Sequence, residues 1–275
     1  MILVAGGTGR LGALVVAGLT GRGEQVRVLT RDPTRAASLE GPLVEVAVGD
    51  VRDPSSLGPA VAGARTVVSA VHGFAGPGRV TPQSVDRDGN ANLVAAARAA
   101  SADVVLVSVF GAAARHRMEL FRMKAAAENN LRASGVPWTI IRATAFLELY
   151  LDLMRRTAGR SGRPLVFGRG DNPVNFVAVT DIAHSVVDAA LDPSQRGRTV
   201  TVTGPRNLTL NELAAMAQKE LGTAAKTPRH LPRAALRVLA ATHVVGNSAV
   251  SRHANAALIM DTTDMTVDHD HSLSI

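Results

Sequence analysis

The chain has 275 residues, 46% of them apolar, with 30 basic and 23 acidic side chains and a formal charge of +7. That much apolar chain can bury the core of one large or two small domains and is not the composition of a disordered segment. The absence of cysteine excludes disulfides, thiolate catalysis and cysteine zinc sites. Scattered arginines with one tryptophan, one tyrosine and six phenylalanines are a poor basis for gripping nucleic acid, so a small-molecule partner is expected instead.

MILVAG opens the chain as an apolar β-branched run, breaks at glycines, and resumes as RLGALVVAGLTGRG with helical spacing and a glycine stop, which reads as strand, turn, helix. QVRVLT (25–30), LVEVAV (43–48), RTVVSAV (65–71), DVVLVSV (103–109) and WTIIRAT (138–144) read as further buried strands, with helices near 54–62, 84–100 and 117–134. Runs apolar on both faces and joined by helices predict an α/β fold, a doubly wound parallel sheet covered on both sides. This domain is expected over 1–150.

Beyond it, 173–191 reads as a short strand entering a helix capped by Thr180 or Asp181 and packing back on the sheet. TVTVTGPRNLTLNELAAMAQKELG (199–222) repeats strand, turn, helix, with Thr209 and Glu212 at capping-box spacing. A small carboxyl-terminal substrate lobe is expected over 151–260, then a loose tail over 261–275. The apolar stretch at 235–246 is interrupted by Arg237 and His243 and is too short to span a membrane. With no leader recognisable, a cytoplasmic protein is the expectation.

The most specific local pattern is GGTGRLG, residues 6–12, between the first strand and the first helix. Gly6 permits the tight turn, Gly9 lets the backbone approach a pyrophosphate, and Gly12 lets the helix sit close on the sheet, while the helix N-terminus offers amides and a positive dipole to the anion. At the end of the second strand, where an acid would bind the ribose hydroxyls of NAD(H), stand Thr30 and Arg31; the arginine favours the 2′-phosphate of NADP(H). Arg10 and Arg35 offer further charge-assisted contacts. Asp32 precedes proline and reads as a turn or cap residue, Asp50 ends the third strand where it can accept from an adenine amine, and Asp53 reads as an N-cap.

In their order along the chain, GGTGRLG, VRVLTRDP, GDVRDPSSL, VDRDGNANLVAAARAA, VVLVSVFGA, the K-x-x-x-E helix, SGVPWTIIRAT and FVAVTDIAHSVVDAAL resemble the NmrA-like branch of the extended and atypical short-chain dehydrogenase/reductases over most of residues 1–222. The resemblance implies a Rossmann fold with NADP(H) lying across the strand ends. It implies that Gly6, Thr8, Gly9, Arg10, Leu11 and Gly12 hold the pyrophosphate, Arg31 the 2′-phosphate, and Asp50 and Val51 the adenine. Ala70, Val71 and His72 then line the ribose and nicotinamide path. Lys124 is implied to grip the nicotinamide ribose, and Ser108 stands close to the family's catalytic serine.

The family's catalytic helix pairs tyrosine with lysine four residues later, so that the ammonium lowers the phenol pKa for proton transfer. Here that position is Leu120. Reduction of an isolated ketone develops alkoxide charge and calls for a positioned acid, whereas a quinone or enone accepts hydride to give a delocalised anion that solvent can protonate. His116 and His72 titrate near neutrality and are candidates for proton exchange or cofactor contact. Phe146 and Tyr150 lie in a segment that borders the substrate pocket in the family. His269 and His271 have no supporting ligands in the sequence, so no metal site is expected.

Two functions follow. One is an NADPH-dependent oxidoreductase acting on a hydrophobic conjugated carbonyl, quinone or secondary metabolite. The other is a non-catalytic NADP(H)-sensing regulator read by a partner protein, with epimerisation or cofactor-assisted oxidation of a polycyclic substrate as further chemistry open to the fold. The sequence leaves the oligomeric state open.

Overall fold

The run Ile2-Leu3-Val4-Ala5 is wholly buried, as a strand with helices on both faces requires. In the computed structural model, which describes residues 1–76, 78–222, 226–241 and 249–268, it forms β1 (Ile2–Ala5). The strands that follow are β2 (Val26–Thr30), β3 (Val44–Val48), β4 (Thr66–Ser69), β5 (Asp103–Val109), β6 (Trp138–Ala143), β7 (Ala145–Phe146), β8 (Leu165–Phe167), β9 (Val174–Val177) and β10 (Arg198–Val202). Seven of them make one sheet, in the order β10-β6-β5-β4-β1-β2-β3, with every neighbouring pair parallel.

The chain winds outward from β1 to β2 and β3, then restarts on the other side of β1 with β4. The reversal between β1 and β4 leaves a crevice at the carboxyl ends of the strands, the usual ligand position in an open α/β sheet. Helices α1 (Arg10–Thr20) and α6 (Val179–Leu191) pack together on one face. On the other lie α2 (Leu57–Val61), α3 (Asn90–Ala99) and α4 (Glu119–Ala133), closing a core that includes Leu3, Leu29, Leu57, Leu93, Leu131 and Ile140. Ahead of α3, residues Pro82–Gly89 form a π-helical stretch opened by a reciprocal cap between Thr81 and Ser84.

The chain divides into two compact units, Met1–Ala143 with Val179–Val202, and Thr144–Ala178 with Thr203–Ile275. The strand expected in the smaller lobe at 199–202 is therefore the edge of the main sheet, paired with β6 from Arg198↔Thr139 to Val202↔Ala143. Polar alternation in RTVTV is what an edge strand presents, and it is ambiguous from sequence about which sheet it joins.

The second unit contains α5 (Leu147–Ala158), α7 (Leu210–Glu220), α8 (Arg233–Ala241), α9 (Ala249–Met260) and short strand pairs, including β7 with β9. The Thr209–Glu212 box caps α7, Glu212 N donating to Thr209 Oγ1 at 3.1 Å and Thr209 N to Glu212 Oε2 at 2.7 Å. Residues 261–268, expected to be loose, are tied down. Buried Asp261 accepts from Arg169 N and Gly170 N, each at 3.1 Å, and from Arg233 Nε at 2.5 Å. Met265 O accepts from Asn175 N at 3.0 Å. His243, His269 and His271 lie outside the described residues. No helix among the described residues is long and apolar enough to cross a membrane.

Candidate functional site

The crevice at the switch point is a cleft of about 540 Å³ within the first unit, built from the loops after β1, β2, β3 and β4. Gly6 takes φ +85° at the end of β1, a left-handed conformation open to glycine, and a Cβ there would meet Ala70 O at 2.7 Å. Gly12 is held closer still: a Cβ would lie 2.1 Å from Gly6 O. Gly9 N-caps α1 without a side-chain hydrogen bond, and the helix has no acid in its first turn. The leading amides of an α-helix have no acceptor one turn back, so the start of α1 offers donors suited to an anion.

Gly6, Thr8 and Gly9 line the cleft, as do Arg31, Asp50, Val51, Ala70, Val71 and His72. Leu11 and Gly12 lie buried beneath it, and Arg10 is exposed at the start of α1. Arg35 lines it as well, so two guanidinium groups stand at the end of β2. The acid between them is occupied: Asp32 Oδ1 accepts from Thr34 N at 3.0 Å and Thr34 Oγ1 at 2.6 Å, capping the 3₁₀ turn Pro33–Leu39. The Thr34 hydroxyl and amide hold its carboxyl below the usual range. Asp53 caps the turn after β3 in the same way.

Asp50 is less open to an adenine amine than its position suggests. Arg52 grips the carboxylate with Nε at 3.0 Å from Oδ1 and Nη2 at 2.5 Å from Oδ2, and this pairing holds the Asp50 pKa down against its partial burial. Val51 is fixed by packing against Gly89, where a Cβ would meet Val51 Cγ2 at 2.6 Å, and by its carbonyl, which accepts from Asn92 Nδ2 at 2.9 Å. His72 is exposed along the cleft, yet protein atoms crowded around its ring hold its pKa below the usual imidazole value, with Asp86 opposing and Lys124 reinforcing the shift.

The residues expected to carry chemistry are placed differently. Lys124, 4% exposed, lies behind the β4 wall of the cleft: its Nζ donates to Val71 O at 3.0 Å and Val107 O at 2.9 Å and ion-pairs with Asp86 Oδ1 at 3.0 Å. The two carbonyls take the Lys124 hydrogen bonds, and the Asp86 contact is an ion pair whose Oδ1 has no hydrogen-bond partner among the described residues. Ser108 points into the core, donating to Glu128 Oε1 at 2.6 Å, because α4 sets Glu128 opposite β5 and β6. Glu128 also accepts from Arg142 at 2.9 and 2.6 Å and from Arg132 at 3.0 Å. Burial alone would raise its pKa, and these donors bring it below the usual value.

His116 stacks on Phe121 at 4.2 Å and accepts at Nδ1 from Met118 N at 3.0 Å, which places the proton of the neutral ring on Nε2. Burial and the cations Arg122 and Arg117 lower its pKa. Neither Ser108 nor His116 lines the cleft. In the second unit, half-buried Phe146 ends β7, and Tyr150 packs edge-on to Phe176 at 5.1 Å. The Tyr150 hydroxyl is 2.9 Å from Met260 Sδ, and burial pushes its pKa up to about 12.

Asp86, Glu128, Arg142 and Arg52 were not legible as site or supporting residues from sequence. One of only three lysines in an arginine-rich chain, Lys124 was a signal for a specifically placed cation, and a buried cation demands a carboxylate partner. Nothing local to Lys124 names that partner.

A model of the NAD(P)H-binding family matches residues 6–193. An NAD(P)H azoreductase of Xenophilus azovorans is 30% identical over 224 residues, covering 81% of this chain and 74% of that protein. The (4-alkanoyl-5-oxo-2,5-dihydrofuran-3-yl)methyl phosphate reductase of Streptomyces griseus is 33% identical over 226 residues, with 81% and 74% coverage. Among solved structures, an NADPH-dependent quinone oxidoreductase of Escherichia coli complexed with NADPH superposes with a TM-score of 0.78 at 22% identity, over 98% of this chain and 92% of that one. With the Rossmann sheet, the uncapped glycine loop and the cleft at its switch point in place, the chain belongs to the NAD(P)H-binding proteins of the NmrA-like, atypical short-chain dehydrogenase/reductase group.

Proposed function

We propose that the chain is an NADPH-dependent reductase of a hydrophobic conjugated acceptor, a quinone or related enone, working without a side-chain phenol as proton donor. The observation that carries this reading is the state of the hydroxyls: Leu120 stands one turn before Lys124, Ser108 is committed to Glu128, and Tyr150 is turned to Met260. An isolated ketone would need one of them at its oxygen; a conjugated acceptor does not. The names of the relatives, an azoreductase and a dihydrofuran phosphate reductase, support an unsaturated acceptor.

Once bound, the dihydronicotinamide supplies a hydride with its electron pair to the electrophilic end of the acceptor, and water supplies the proton at the other end. The protein's contribution is placement. The α1 N-terminus and glycine loop would hold the pyrophosphate, Arg31 and Arg35 would pair with the 2′-phosphate, and Ala70, Val71 and His72, which line the same cleft, would form the wall for the nicotinamide half. His72 is neutral at pH 7 because its pKa lies below the usual value, so it adds no cation to that wall.

The test follows NADPH absorbance with panels of quinones, enones, azo dyes and simple ketones. Turnover is expected for the conjugated acceptors and not for the ketones. Replacing Arg31 by alanine is expected to weaken NADPH about 10- to 100-fold while leaving NADH nearly unchanged, the loss of a charge-assisted contact to phosphate. Tight NADPH binding without turnover of any acceptor would overturn the catalytic reading and favour the regulator.

A further inference from the structure

The π-helical stretch holds a carboxylate that the proposed chemistry does not use. Asp86 is fully buried, and so, to 4% exposure, is its partner Lys124. Burying such a pair is costly, and packed apolar side chains would hold the same space at least as well, so its presence calls for a directional task. The contacts indicate one. Asp86 Oδ2 accepts from Gly73 N at 2.8 Å, while Oδ1 faces Lys124 Nζ at 3.0 Å, and Lys124 in turn donates to Val71 O at 3.0 Å. The backbone carbonyl of Asp86 accepts from Asn90 Nδ2 at 2.8 Å, and Asn90 Oδ1 accepts from Ser69 Oγ at 2.6 Å. Alternate residues Ser69, Val71 and Gly73 are thus tied from behind, while Ala70, Val71 and His72 form the cleft wall in front.

We propose that Asp86, through Lys124 and the Gly73 amide, is the positioning residue for the part of the cleft that receives the nicotinamide half of the dinucleotide. The inference rests on the cofactor placement proposed above. Asp86 sets the direction of the Lys124 ammonium, drawing it toward Val71 O and Val107 O, and so fixes the backbone against which the ribose and nicotinamide lie. The adenine half is held by other loops, those after β2 and β3, which Asp86 does not touch.

The test separates the two halves of the ligand. Dissociation constants for NADPH and for adenosine 2′,5′-bisphosphate, which lacks the nicotinamide half, are measured by calorimetry for the wild-type chain, for Asp86→Asn, and for the apolar double variant Asp86→Leu/Lys124→Met, with Tm recorded for each. Asp86→Asn is expected to weaken NADPH about tenfold or more and to leave the bisphosphate within about twofold. The double variant is expected to recover most of the lost Tm and to stay weak for NADPH, which a merely stabilising pair would not do. A folded Asp86→Asn protein with wild-type NADPH affinity overturns the proposal, as does a parallel loss of both ligands or failure of both variants to fold. If the wild-type chain binds neither ligand, the cofactor reading of the cleft falls, and this proposal with it.

Discussion

Ser108→Ala distinguishes a catalytic serine from a structural one. Ser108 is 2% exposed and its hydroxyl donates to Glu128, itself 1% exposed, at 2.6 Å. A hydrogen bond to a charged acceptor is worth about 1.5–3 kcal/mol. The lower end applies, because Glu128 keeps its contacts at 2.9 and 2.6 Å from Arg142 and at 3.0 Å from Arg132 and is not left bare. A loss of about 1.5 kcal/mol corresponds to a fall in Tm of roughly 3–6 °C for a chain of this size. Calorimetry or a thermal melt reads that fall, and kcat/KM with the best conjugated acceptor is expected to stay within about threefold of wild type. A kcat reduced about a hundredfold at unchanged Tm, the signature of a lost proton-transfer group, would refute the placement of this serine in the core.

Gly12→Ala should fold but bind NADPH about a hundredfold more weakly, because its Cβ would meet Gly6 O at 2.1 Å and displace the phosphate loop; an unchanged dissociation constant would show that the loop yields freely. Glu128→Gln should flatten the acid limb of stability measured by urea unfolding. The wild-type carboxylate, with its pKa held below the usual glutamate value by its arginine and serine donors, contributes stability that is fully present above the usual value and lost as pH falls through the folded pKa, so the gap between the two proteins should narrow on acidification. A gap independent of pH would contradict the charged network. Tyr150→Phe removes only a contact to a thioether and should cost less than about 1 kcal/mol with kcat preserved; a kcat loss of about a hundredfold would make Tyr150 the missing acid.

What could be read from the sequence was what is encoded locally. GGTGRLG between an apolar strand and a helix predicts a phosphate loop because the turn, the close approach and the helix terminus all lie within seven consecutive positions. The strands β1 to β6 fall where their apolar runs place them, and Asp32, Asp53 and Thr209 cap the turns or helix that their spacing indicates. Side-chain direction was not legible. Lys124 donates to the carbonyl of Val71 and pairs with Asp86, which the fold brings up from another helical segment, Pro82–Gly89. Ser108 likewise looked catalytic by position until α4 and β6 delivered Glu128 and Arg142 to it. Arg52 lies two residues from Asp50, yet a pair at that spacing in a loop has no fixed geometry until the turn is formed.

The chain leaves the first unit after Ala143, returns at Val179 and leaves again after Val202. During synthesis, β6 therefore emerges as a bare sheet edge, and the face of α1 that α6 will cover stays open until Thr144–Ala178 has been made and the chain has returned through Val179–Leu191. A fragment ending at Ala143 would carry the whole phosphate loop yet present an unpaired strand edge to every other copy, a template for aggregation. Shortening this protein to its cofactor-binding half is therefore expected to yield inclusion bodies, and a soluble minimal form needs residues up to Val202.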